Sequence, residues 1–139
     1  MQNNYLDDEC MNSLGEFIKT SQTIEHIDIG NAQMFYEKIN MISDFGIEMI
    51  KPYFFGNVSL KIFDVQRNRN ITNKSISIFL EIVEKSCIES IDFNGTIGDV
   101  KKFGVHFLVN KLKNGNLKEL SLPNWFVFFM AITTFLKSK

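Results

Sequence analysis

The amino-acid sequence predicts an α/β fold built by repetition, on two observations. One stripe of apolar residues at helical spacing is written three times in fixed register, and one short alternating motif is written four times around those stripes. The stripes are Ile42, Gly46, Ile50 and Phe54, then Ile71, Ser75, Phe79 and Val83, then Val100, Gly104, Leu108 and Leu112, each displaced from the last by 29 positions. Residues four apart share one side of a helix, so each quartet describes an amphipathic helix whose second position is always small. Glycine inside a helix costs about 0.5–1 kcal/mol relative to alanine, and a close approach of neighbouring helices is the physical reason to accept that cost. The alternating motifs are Ile24, Ile27 and Ile29, then Leu60, Phe63 and Val65, then Ile88, Ile91 and Phe93, then Leu117, Leu120 and Leu122. The last two residues of each set have the period of two of a short strand with one buried face.

The elements follow in chain order. Cys10, Leu14 and Ile18 continue the four-residue spacing upstream, which predicts an opening helix over 10–22. Strand–loop–helix units then occupy 24–59, 60–87 and 88–116, and a final strand with a capping helix fills 117–139, so the chain reads as one domain, 1–139. Ser43 or Asp44 and Thr72 or Asn73 are placed to cap the second and third helices, and Gly56-Asn57 and Asn114-Gly115 to turn the chain back toward the next strand. Pro52 falls inside a helix and predicts a kink or an early end there. The first unit is longest: Ile24 to Leu60 spans 36 residues against 28 and 29 for the next intervals, with the excess at 33–40 (QMFYEKIN).

Leu60 to Asn68, LKIFDVQRN, followed by the small-residue stripe, resembles the leucine-rich repeat of the ribonuclease-inhibitor-like class, whose unit is LxxLxLxxN then LxxxGxxxLxxxL. The resemblance covers 10–136. It implies a right-handed βα solenoid of about four repeats, with short parallel strands on a concave face and helices on a convex one. The other units put Ala32, Thr96 and Trp125 where the class has its loop-tying asparagine. Solenoids of this class include ribonuclease inhibitors, tropomodulin-type actin-filament cappers and innate-immune sensors, so a non-enzymatic scaffold that binds a protein partner is the expected function.

In that architecture the variable strand positions are the surface a partner reads. One column contains Asp28, Asp64, Asp92 and Ser121, on strands about 4.8 Å apart; stacked carboxylates raise one another's pKa and favour a basic partner. A second, Glu25, Lys61, Glu89 and Lys118, alternates in sign and neutralises itself. His26, Gln66, Arg67, Asn94 and Glu119 surround them. The alternative reading of each aspartate is plain solvation of an exposed strand. Met34, Phe35 and Tyr36 in the inserted loop are candidate anchors, since aromatics and methionine are enriched at interface cores, unless they fold back over their own unit.

Other classes receive less support. A net charge of −1 gives no general attraction to nucleic acid or anionic membranes, and the apolar run from Trp125 to Leu136 is shorter than the roughly 20 residues of a membrane span. Cys10 and Cys87 have no metal-type or disulfide-framework spacing and read as buried thiols; with no basic-then-apolar leader pattern at 1–10, an intracellular, cytoplasmic setting is expected. No phosphate loop, nucleophile elbow, HExxH or CxxC occurs, and His26 and His106 are ordinary polar positions, so neither metal nor cofactor is expected. Two alternatives stay open. Arg67 and Arg69 on a post-strand loop suggest a GTPase-activating protein of the Ran type, acting through an arginine; and Trp125, Phe126, Phe129 and Phe135 suggest self-association or assembly through the C-terminal apolar helix.

Overall fold

The structure is a computed structural model and describes residues 4–31, 39–96 and 116–121. Within them lie, in chain order, α1 (Asp8–Thr20), β1 (His26–Asp28), α2 (Asp44–Phe54), β2 (Ile62–Asp64), α3 (Asn73–Lys85), β3 (Ser90–Asp92) and β4 (Glu119–Ser121). The strands form one parallel sheet in sequential order, β1-β2-β3-β4. Ile27, Phe63, Ile91 and Leu120 stand in register across it, as do Asp28, Asp64, Asp92 and Ser121. The alternating motif therefore does what its period implies. Its central apolar residue faces the helices, and the residues either side of it face away.

Between sheet and helices the core is an aromatic and aliphatic stack. Phe54, Phe63, Phe79 and Phe93 touch in sequence with ring centroids 5.0, 5.8 and 4.5 Å apart, alternating residues from helix and strand. The Phe54–Phe63 and Phe79–Phe93 pairs meet edge to face, which adds to the stabilisation from the area they bury. Ile42, Ile50, Ile71 and Val83 complete the first two predicted stripes, all buried; the third, from Val100 to Leu112, lies outside the described residues.

The small stripe positions have a specific use. A Cβ on Gly46 would collide with the Asp8 carboxylate and approach Met11 Cγ at 2.9 Å, and that carboxylate accepts from both the backbone N–H (2.8 Å) and the hydroxyl of Ser43. One unit later Asp44 accepts from the N–H (2.8 Å) and hydroxyl of Thr72, and from the hydroxyl of Ser75, the small residue of that stripe. The first residues of α1 and α2 thus each grip the cap of the next helix. Burial pushes the Asp44 carboxyl up, but the hydrogen bonds from Ser75 and Thr72 outweigh it and hold Asp44 below the usual aspartate range.

The ends of the elements follow local chemistry. Asp7, Ser43 and Thr72 are the N-caps, each accepting from the N–H two residues on. Because Asp7 caps it, α1 starts at Asp8 rather than at 10. Pro52 sits in the last turn of α2, which stops at Phe54, and Gly56 turns the chain with φ +89°. Asn57 then ties this turn back to α1, donating to the Ile18 (2.6 Å) and Ser21 (3.0 Å) carbonyls.

Two expectations need correction. The buried residues of α1 are Met11, Gly15 and Ile18; Cys10, at the stripe's small-residue position, is exposed and Cys87 half-exposed, so neither is a buried thiol. α1 has no earlier helix against that position among the described residues, and Gly15 instead takes the Tyr53 ring of α2.

The asparagine tie is the second correction. Asn68 donates to the Ile29 and Val65 carbonyls (3.0 Å each) and accepts from the Ile42 N–H (3.1 Å). In the preceding unit the same work is done beyond the insertion, by Asn40. It donates to the Ile29 (2.9 Å) and Gly30 (3.2 Å) carbonyls and accepts from the Leu6 (3.0 Å) and Asn4 (2.9 Å) N–H groups. The Asn31 side chain in turn holds the Asn40 backbone, accepting from its N–H at 2.6 Å and donating to its carbonyl at 3.0 Å, which closes the base of the insertion. The expected units at 97–115, with His106, and the C-terminal helix lie outside the described residues, as do Ala32 and Trp125.

Candidate functional site

The sheet face turned away from the helices collects the charged residues singled out by sequence. Glu25, His26, Asn94 and Glu119 are exposed; Asp28, Asp64, Asp92, Gln66, Arg67 and Glu89 are half-buried. Met34, Phe35 and Tyr36 lie outside the described residues. The sign-alternating column pairs as its order implies: Glu89 meets Lys118 at 2.6 Å and Lys61 at 4.0 Å, and the Lys118 hydrogen bond holds Glu89 below the usual glutamate range. This column presents little net charge to a partner.

The aspartate column is different because each carboxylate closes the turn that ends its own strand. Asp28 accepts from the Gly30 N–H (2.9 Å), Asp64 from the Gln66 N–H (2.9 Å) and Asp92 from the Asn94 N–H (2.7 Å). Asp64 also takes the Gln66 side-chain amide at 2.9 Å. Aspartate recurs in this register because its short side chain reaches the N–H two residues on. Both Asp64 and Asp92 are pushed above the usual aspartate range, and the main cause is desolvation, with the neighbouring carboxylates adding to it. The expected cause, mutual repulsion, is therefore the smaller one. Among the described residues no cluster of His, Cys, Asp and Glu could hold a metal ion.

Arg67 stands at the carboxyl end of this face. Its backbone is in the left-handed region, φ +57°. The guanidinium donates to the Asn31 carbonyl at 3.1 Å, and its charge lies near enough to Asp92 to offset part of the desolvation. Arg69 is exposed.

Sequence reasoning passed over Ile62, which lies between His26 and Ser90 in the register and faces solvent on the same side as the aspartates. Its place in the motif was legible, but attention to charge hid an apolar residue at a variable position. Asn31 and Asn40 were also missed. The signal was available, since Asn40 precedes Ile42-Ser43-Asp44 much as Asn68 precedes Ile71-Thr72-Asn73.

No helix among the described residues is long and apolar enough to cross a membrane. No protein-family model matches the sequence, and no curated protein matches it. Among solved structures the chain is similar to one titled Leiomodin-1 Actin-Binding Site 2 (ABS2), with a TM-score of 0.76 and 16% identity over 99% of this chain and 78% of that one. At that identity the likeness shows the fold alone, an α/β, leucine-rich-repeat-like arrangement with a parallel sheet.

Proposed function

We propose that this chain is a non-enzymatic protein-interaction scaffold, a solenoid of about four ribonuclease-inhibitor-type repeats that binds a protein partner on its concave strand face. The observation that carries the reading is the register of Asp28, Asp64 and Asp92 on one open face, beside a column whose charges cancel. That leaves an acidic strip suited to lysine or arginine side chains of a partner, with Ile62 as an apolar contact among them. An open surface of this kind lacks the enclosed pocket that catalysis favours. Met34, Phe35 and Tyr36, in the inserted segment that the Asn31–Asn40 clasp brackets in sequence, are the second contact in this proposal. An intracellular setting belongs to the same proposal, as does the absence of any bound cofactor.

The test compares the proteins retained by the immobilised wild-type chain with those retained by Asp64→Lys/Asp92→Lys, after circular dichroism has shown both folded. Actin is the first purified protein to assay, because the leiomodin-1 segment is titled an actin-binding site. Partners held by the wild type and lost by the charge-reversed face support the proposal. An unchanged set of partners would overturn it. The GTPase-activating alternative rests on Arg69, since Arg67 is engaged with the Asn31 carbonyl; unchanged GTP hydrolysis by a candidate GTPase with Arg69→Ala would end it.

A further inference from the structure

A second surface lies away from the strand face, where the chain enters its helices. Three segments run side by side there. The Asn4 and Leu6 N–H groups are held by Asn40, the Met41 N–H donates to the Leu6 carbonyl at 2.7 Å, and Ser43 bridges to Asn70. The segments at 4–9, 40–45 and 68–74 are thereby sutured into one strip. Leu6 and Ile42 turn inward, so the residues before them, Tyr5 and Met41, turn out, and Phe45 in the first turn of α2 turns out as well. Their exposures are 57%, 53% and 63%, three of the largest values for apolar side chains among the described residues. Tyr5 is held at φ +56°, a conformation that costs a bulky residue about 1–2 kcal/mol, and the Asn40 grip on the N–H groups either side of it sustains that geometry.

Charge is distributed across this strip in order. The outer segment carries exposed Glu9 along with Tyr5, the middle one carries Met41 and Phe45, and the third carries exposed Arg69 and Lys74. Lys74 is only loosely engaged, 3.9 Å from Glu48 with both side chains largely in water. An acidic–apolar–basic sequence is self-complementary under a two-fold axis through its centre: rotation sets Glu9 of one copy against Arg69 and Lys74 of the other and lays apolar on apolar. We propose that this strip is a homodimer interface, occupied by a second copy of the chain in antiparallel, isologous contact. Exposed tyrosine, methionine and phenylalanine are the residues enriched at interface centres, and the flanking charges fix register and orientation. The strip is small by the standard of stable interfaces, so the dimer is weak and exchanging. It is independent of the strand-face proposal and of any association through the C-terminal helix.

The experiment is sedimentation equilibrium of the full chain at low and high salt, from about 10 µM to about 1 mM, a range chosen for a small interface. The wild type is expected to show a concentration-dependent dimer that weakens with salt. Phe45→Ser and Met41→Ser should be monomeric with unchanged circular dichroism. Glu9→Lys and Arg69→Glu should each weaken the dimer roughly tenfold, since each substitution occurs twice per dimer and replaces attraction by repulsion. An equimolar mixture of Glu9→Lys with Arg69→Glu should recover the dimer, because both cross-contacts then pair opposite charges. A wild type that stays monomeric throughout overturns the proposal. So does a dimer indifferent to all four variants, or a mixture that fails to recover.

Discussion

Asn40→Ala is the perturbation that most directly tests how this chain accommodates its inserted loop. The side chain is buried, with 1% exposure, and makes four hydrogen bonds to backbone groups of two separate segments. Truncation does not orphan all four partners. The Ile29 carbonyl keeps the Asn68 side-chain amide, and Asn4 is exposed enough for water to replace its bond. The Leu6 N–H and Gly30 carbonyl are left, and a polar group stranded in the interior costs about 1–3 kcal/mol. Two such groups give a loss of about 3 kcal/mol, a large share of the roughly 5–15 kcal/mol that holds a typical domain together. Urea unfolding at constant slope measures it, with exposed Asn70→Ala as the control expected to stay within about 0.5 kcal/mol of wild type. Hydrogen exchange should show the Leu6 and Met41 amides losing protection together. A loss below about 1 kcal/mol would mean that water satisfies these groups as well as Asn40 does, and the role assigned to the asparagine would be wrong.

Other outcomes follow from the same geometry. Gly46→Ala should destabilise by about 1–2 kcal/mol in thermal or urea unfolding despite the better helix propensity of alanine, because the new methyl group displaces Asp8 from Ser43. Thr96→Asn should stabilise by about 1 kcal/mol, since the buried Thr96 hydroxyl has no hydrogen-bond partner among the described residues and its N–H turns to Phe93 as that of Asn68 turns to Val65. In pH-dependent melting, Asp44, held low in the folded state, contributes stability above its unfolded pKa near 3.8 that is lost as pH falls through its folded value; Asp44→Asn should remove that acid limb. Asp64 and Asp92, held high, have the opposite sign: their desolvated charge is a penalty at neutral pH that protonation relieves on acidification. Asp64→Asn, which keeps the acceptor for the Gln66 N–H, should flatten that part of the profile without lowering stability at pH 7.

Much of this architecture was legible because two different periods alternate along the chain. A spacing of four with a small second residue specifies a packed helix, and the two-residue alternation between such stripes a half-buried strand, so the sequence pattern alone puts Phe63, Ile91 and Leu120 on the inner face. Connections were less legible because hydrogen bonds to backbone carry little sequence signature. Asn40 does the work of a motif position from the far side of an insertion, and only the following Ile-Ser-Asp reveals it. The aspartate column was read for its charge, whereas its recurrence is explained first by the turn each side chain closes. Cys10 occupies a stripe position that is buried in later helices and exposed in α1, a difference that depends on the neighbour and not on the residue.

The aspartates on the strand face therefore answer to two demands at once. Closing the strand-end turn requires an acceptor, and asparagine would supply it without charge; binding a basic partner requires the charge, which here is half-desolvated and costs stability. A column kept acidic for structure alone would gain by Asp64→Asn and lose nothing else. If that substitution preserves or raises stability while abolishing capture of a partner, the charge is held for recognition and the turn merely fixes where it points. If capture survives, the column is structural, and the recognising surface must be sought elsewhere, first at the Tyr5, Met41 and Phe45 strip.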